Sequence, residues 1–215
     1  MSSTAAAWHI AVAYAKAHGV TARGVLAYLG AWVAVAVASR FGVSALGLEV
    51  AEPGSAPMDT IAVLLMLVPA AIVGRCLTGR LPTLEATRSR SPQPARLVWA
   101  AVVGLGAALG PLLTSPLLHG AIDRMTFLAG WGVVLGLHLV LGAVLAGPFA
   151  MVGTFAVLAV FTTPSLLPWP ANIIYNVDLR QTSATIGAVL VGTGLLLVGL
   201  RGRGGASDIS QEWPG

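Results

Sequence analysis

Apolar runs of up to about twenty residues, broken by short polar or proline-rich stretches, recur along this chain. A helix rising 1.5 Å per residue needs about that length to cross a hydrocarbon core of about 30 Å. The pattern predicts an all-α polytopic membrane protein with six transmembrane helices, at residues 25–46, 59–77, 97–114, 125–146, 149–161 and 183–200. Before the first span, residues 3–18 mix Trp8, Ile10, Val12 and Tyr14 with alanines and stop at His18-Gly19. That stretch is too short to span and reads as a helix lying in the interface, its aromatic rings at headgroup level. Residues 1–203 therefore form a single transmembrane domain, and 204–215 a polar tail expected to be disordered.

The interruptions differ in kind. Residues 48–58 carry Glu49, Glu52, Pro53 and Pro57 and read as an acidic outer loop. The stretch from Gly74 to Arg96 is the basic one: Arg75, Arg80, Arg88, Arg90 and Arg96 surround a single acid, Glu85. The pair Gly147-Pro148 is the sole break between the fourth and fifth spans and predicts a tight hairpin turn. Residues 162–181 are too proline-rich to span and too apolar for a plain loop, so they read as an interfacial or re-entrant segment. Pro69 falls inside the second span and predicts a kink, because it removes a helical hydrogen bond. Pro111 and Pro116 are expected to close the third, and Trp99 to anchor it at the interface.

Composition sharpens this picture. The chain is 56% hydrophobic and 9% charged, with a mean hydropathy of +0.85. Soluble domains carry roughly 25% charged residues, so an ordinary globule is excluded. The pI near 10 does not point to nucleic acid, because the arginines lie in loops between apolar runs. They obey the positive-inside rule instead. With both termini cytoplasmic, Lys16, Arg23, Arg75, Arg80, Arg88, Arg90, Arg96, Arg201 and Arg203 fall inside, and Glu49, Glu52, Asp59, Asp123 and Asp178 outside. Arg40 falls within the first span near its outer end, close enough to snorkel to the headgroups. No cleavable leader is expected at the start, since Lys16 follows the apolar part rather than preceding it. The lone cysteine, Cys76, permits no internal disulfide and reads as a small filler at a helix end.

Candidate chemistry is sparse. The chain has no paired-histidine metal motif, no Cys-x-x-Cys, no Gly-x-Ser-x-Gly and no phosphate loop, so no cofactor or metal is expected on it. His138 is the ionisable side chain nearest the middle of a span, a candidate for a pathway, proton relay or haem ligand. The simpler reading is a neutral histidine hydrogen-bonded to a neighbouring helix. The run LPTLEA, Leu81 to Ala86, opens on Pro82, with Thr83 as a cap and Glu85 in a first turn. It reads either as a short helix on which a partner docks or as a solvated loop that sets topology.

In this order of elements the chain resembles the permease subunits of ATP-binding-cassette (ABC) exporters of the type 2 family, which export drugs, antibiotics and polysaccharides. The wording GRLPTLEATRSRS is similar to that of permeases from actinobacteria. Residues 3–18 occupy the place of the family's elbow helix, and Leu81 to Thr87 that of its coupling helix. Gly147-Pro148 stands at its tight cytoplasmic turn, and Pro164 to Tyr175 at its re-entrant segment. The resemblance implies a multi-pass protein of the bacterial inner (plasma) membrane, with membrane lipid around it. It implies a separate cytoplasmic ATPase subunit, which binds ATP and magnesium, and a second permease subunit, identical or related, completing a dimeric pathway. Leu81, Pro82, Thr83, Leu84, Glu85 and Arg88 would then dock the ATPase, and Pro168, Trp169, Pro170, Ile173 and Tyr175 would form an outer gate. The aliphatic, glycine-rich spans suit an apolar or amphipathic cargo, and antibiotic resistance is the associated role. The competing expectations are an immunity or assembly factor in the membrane, and a membrane enzyme centred on His138.

Overall fold

The computed structural model of the chain describes residues 15–16, 18, 20–41, 60–78, 93–119, 122–145, 147–163 and 166–200. Among them all regular structure is helical. The α-helices are α1 (Ala22–Ala38), α2 (Thr60–Leu65), α3 (Leu67–Thr78), α4 (Gln93–Thr114), α5 (Arg124–Val144), α6 (Gly147–Thr162) and α7 (Arg180–Leu200). Short 3-10 turns follow α4 (Ser115–Leu117) and precede α7 (Trp169–Ala171 and Val177–Leu179). Three stretches, Arg96–Leu117, Arg124–Val144 and Val177–Leu200, are long and apolar enough to cross a membrane. The helices Ala22–Ala38, Ile61–Leu77 and Gly147–Thr162 are apolar but shorter. Most of the elbow stretch, the acidic loop, the basic loop from 79 to 92 and the tail lie outside the described residues.

Local chemistry sets the helix ends. The Thr21 hydroxyl accepts from the Gly24 N–H at 3.1 Å and caps α1. Asp123 caps α5 through one oxygen, which accepts the Thr126 N–H at 2.8 Å and its hydroxyl at 2.6 Å. The structure corrects several expected boundaries. α1 stops at Ala38, so Arg40 sits in an exposed turn beyond it rather than inside a span. Gly147 and Pro148 open α6 instead of forming the turn before it, because a proline in the first helical turn forfeits no hydrogen bond. Pro94 does the same in the first turn of α4, which starts earlier than predicted. Pro111 lies within α4 rather than ending it. Near Pro69, where a kink was expected, the helix is divided at Met66 into α2 and α3; Pro69 has no N–H for the carbonyl four residues before it, that of Leu65.

The helices run alternately up and down. α5 is the most buried of the three long stretches and forms the axis of the bundle. Its largest interface is with α7, and the two run parallel: Gly132 faces Gly187, Gly136 faces Leu190, and Leu139 faces Gly194. Glycine is required along this seam. A Cβ on Gly136 would lie 2.5 Å from Leu190 Cβ and 2.6 Å from the Val191 nitrogen, and one on Gly187 would lie 2.9 Å from the Gly132 carbonyl carbon. Such close backbone approach is how small residues bind helices together in lipid, where burial of apolar surface supplies no drive. On the opposite flank of α5, Trp32 of α1 stacks edge-on against Trp131 at 4.7 Å and Phe127 at 6.1 Å. Trp32, Phe127, Val134 and Leu139 are all fully buried.

Two predictions follow from these contacts. Gly136→Ala must push α5 and α7 apart, an overpacking that costs about 1–3 kcal/mol against roughly 1 kcal/mol gained in helix propensity. Its thermal midpoint in detergent is expected to fall, whereas Gly192→Ala, with nothing within 4 Å of the added methyl, should match or exceed the parent. Equal shifts in both would remove the seam as a packing determinant.

Asp123 adds a pH dependence. The Thr126 hydroxyl, then its N–H, hold the carboxyl below the usual carboxylate range. A folded pKa below the unfolded one stabilises the fold fully above about pH 4, and that contribution fades as pH drops through the folded value. Asp123→Asn, which keeps the cap, should remove this acid-side loss in unfolding titrations. Asp123→Ala should cost about 1 kcal/mol at neutral pH.

Candidate functional site at the base of the basic loop

Two helices frame the basic loop: α3 leads into it and α4 leaves it. Their ends are joined by Trp99, whose indole N–H donates to the Cys76 carbonyl at 3.0 Å. Cys76 lies in the last turn of α3, where carbonyls have no partner within the helix, so a side chain from α4 does what the helix cannot. His18 is buried against the same indole, ring centroids 5.3 Å apart, which brings the end of the elbow stretch onto the loop's base. Trp99, expected as an interfacial anchor, is thus also a clamp between two helices.

Two residues further into α3, Gly74 meets His138 of α5. A Cβ on Gly74 would lie 3.0 Å from His138 Nε2 and 3.2 Å from Cδ2, so the glycine makes room for the ring. On its other edge, His138 Nδ1 lies 3.2 Å from the Thr154 hydroxyl of α6. That hydroxyl already donates its one proton to the Ala150 carbonyl at 2.7 Å. Thr154 must therefore accept, which assigns the proton to Nδ1 and leaves Nε2 as the acceptor edge beside Gly74. His138 joins α3, α5 and α6 in one contact. It is buried and sits about 9 Å along the axis from the end of α5 at Val144. It stands four residues, about 6 Å, from the midpoint of α5 on the side of the basic loop. Among the described residues, no three His, Cys, Asp or Glu side chains converge as metal ligands.

The opposite end of the bundle is closed by the segment joining α6 to α7. Asn172 organises it: its amide donates to the Phe161 carbonyl in the last turn of α6 at 2.9 Å, and its Oδ1 accepts the N–H groups of Ile174 and Tyr175 at 3.2 and 3.3 Å. Asn176 repeats the motif one turn on, accepting the Asp178 N–H at 2.9 Å. The expected gate residues divide here. Tyr175 is buried, Ile173 half-buried, and Pro168 and Pro170 are exposed; the Trp169 side chain lies outside the described residues. Ile174, not among the expected set, is buried in the core. The paired Asn172 and Asn176 are the sequence signal for these turns, because asparagine readily bonds its own backbone two residues on.

The docking residues Leu81, Pro82, Thr83, Leu84, Glu85 and Arg88 lie outside the described residues, whereas the frame from which their loop springs is described on both sides. The class of protein is plain: an all-helical bundle with three helices long and apolar enough to cross a membrane. No protein-family model, curated protein or solved structure matches the chain.

The histidine contact is testable. Thr154→Val strands the buried His138 N–H without an acceptor, a loss of about 1–3 kcal/mol. Thr154→Ser, keeping the hydroxyl, should restore most of it in unfolding measurements. If valine and serine variants unfold alike, the hydrogen bond does not hold α5 to α6.

Proposed function

We propose that the chain is the transmembrane subunit of an ATP-driven exporter of the type 2 ABC family, coupled to a separate ATPase and paired with a second permease subunit. The observation that carries this reading is the alternation of helix direction. It brings the base of the basic loop, the end of the elbow stretch and the α5–α6 hairpin to one end of the bundle. Among the described residues Lys16, Arg23, Arg75 and Arg96 lie at that end, and Arg40, Arg124, Arg180, Asp123 and Asp178 at the other. The sequence adds Arg80, Arg88 and Arg90 in the basic loop and Arg201 and Arg203 after α7 to the first end, so the positive-inside rule favours that end as the cytoplasmic one.

All six apolar helices cross in this reading. α1 and α6, at 17 and 16 residues, reach about 26 and 24 Å, so their flanking residues complete the passage. The 163–179 segment leaves and re-enters the same outer end, which supports its role as an outer closure. The cargo is apolar or amphipathic, matching spans that offer little polar recognition. The basic loop is the docking surface, and the clamp of Trp99 on Cys76 gives it a rigid base through which a push can reach α3 and α4.

A mild-detergent pulldown from the native host, with bound proteins identified by mass, is expected to recover a stoichiometric ATPase. Leu84→Asp should abolish that recovery while leaving membrane insertion intact. An intact protein that brings down no ATPase would overturn the transporter reading in favour of an immunity or assembly factor. An ATPase still recovered with Leu84→Asp would move the docking site elsewhere.

A further inference from the structure

Three cations stand around the Trp99 clamp. Arg75 immediately precedes Cys76, whose carbonyl takes the indole N–H. Arg96 lies three residues before Trp99 on α4, hence on the same side of the helix and about 4.5 Å nearer its start. Lys16 lies two residues, at most about 7 Å of chain, before His18, which is buried against the indole. Lys16 and Arg75 are exposed and Arg96 is half-buried. The acids among the described residues, Asp123 and Asp178, are at the opposite end of the bundle. Trp99 also occupies the Cys76 carbonyl, an acceptor that would otherwise repel an anion. Beneath Arg75 the surface is apolar. Ile72 and Val68, three and seven residues back, share its face of α3; Ile72 is half-buried and Val68 exposed. The apolar helix runs on to Leu77, so Arg75 stands at the rim of the hydrocarbon.

We propose that Lys16, Arg75 and Arg96, gathered by the Trp99–Cys76 bond and the His18–Trp99 contact, bind the headgroup of an anionic phospholipid. Its phosphate sits among the cations and an acyl chain lies along α3. A soluble anion would make no use of the apolar surface directly beneath Arg75. A zwitterionic headgroup would bring its own ammonium into a site that already holds three positive charges. Lysine and arginine stems lie on apolar surface while their charged ends reach the headgroup level. A guanidinium has five N–H donors, so Arg75 and Arg96 can serve acceptors within the protein and a phosphate oxygen together. The clamp joins α3 to α4, and His18 brings the elbow stretch onto it. One lipid therefore fastens three segments where they meet the membrane surface. The site stands on these contacts, whichever protein docks on the loop above it.

Native mass spectrometry of the full chain in neutral detergent tests it, with short-chain phosphatidylglycerol and phosphatidylcholine as probes. One phosphatidylglycerol per chain should be retained at concentrations where phosphatidylcholine is not. Lys16→Gln, Arg75→Gln and Arg96→Gln should each weaken that binding about fivefold, the effect of one charge at an anionic surface. Their thermal midpoints without added lipid should match the parent, which separates loss of binding from loss of fold. Trp99→Phe keeps every charge but loses the bond to Cys76, and should weaken binding at least twofold. Arg90→Gln removes the same charge from the loop and should stay within twofold of the parent. Equal retention of the two lipids, or undiminished binding in the three glutamine variants, would overturn the site. A loss in Arg90→Gln as large as in Arg96→Gln would show a diffuse attraction and overturn it equally. So would a Trp99→Phe chain that binds like the parent, or glutamine variants that keep the lipid but lose a co-purifying protein.

Discussion

The parallel seam between α5 and α7 sets the geometry that the other helices follow. Lipid chains are as apolar as leucine, so two helices gain little by hiding leucines from them. What holds a pair is dense backbone contact. Gly132 and Gly136 on one side, with Gly187 and Gly194 on the other, allow that contact. Once α7 lies along α5, α4 packs antiparallel to α7, with Leu195 against Gly104 and Leu97 against Gly199. Trp32 and His138 then bring α1, α3 and α6 onto the rest of α5.

A second constraint runs through the whole bundle: no backbone polar group can turn to water inside the hydrocarbon. The structure meets it by loans between helices. Tyr28 serves the carbonyl displaced by Pro111, Trp99 a carbonyl at the end of α3, and Asn172 one at the end of α6. Each loan is also a tether. The prolines and helix ends that weaken individual helices become the places where helices are fastened to one another, and so the places where relative movement would register first.

Function and fold meet at the basic end. A loop rich in arginine is not by itself a coupling element; it becomes one only if force on it reaches the spans. The Trp99 clamp joins the two helices that carry the loop, and the His138 contact joins α3 to the α5–α6 hairpin. A partner docked on the loop would therefore bear on four helices, α3 to α6, which is what the proposed coupling needs.

The apolar helices and their order were legible in the sequence, because hydrocarbon admits few alternatives to a long apolar helix. The polar breaks showed most helix ends to within a few residues, the exception being the first span, expected to reach 46 where α1 ends at Ala38. Several of the other errors share one cause. Gly147-Pro148 and Pro111 were judged as helix breakers, yet a proline in a first turn forfeits nothing, and one inside a helix survives if a neighbour supplies a donor. What remained hidden is partnership. Nothing in the chain's order says that Tyr28 reaches Ala107, that Gly74 accommodates His138, or that Ile174 turns inward while Pro168 stays out. The sequence by itself determined that the chain is helical, apolar and basic at one end, since those are properties of composition and period. Which helices touch, and which carbonyl each side chain serves, was decided only in three dimensions, because lipid rewards close fit and satisfied hydrogen bonds, and neither has a period.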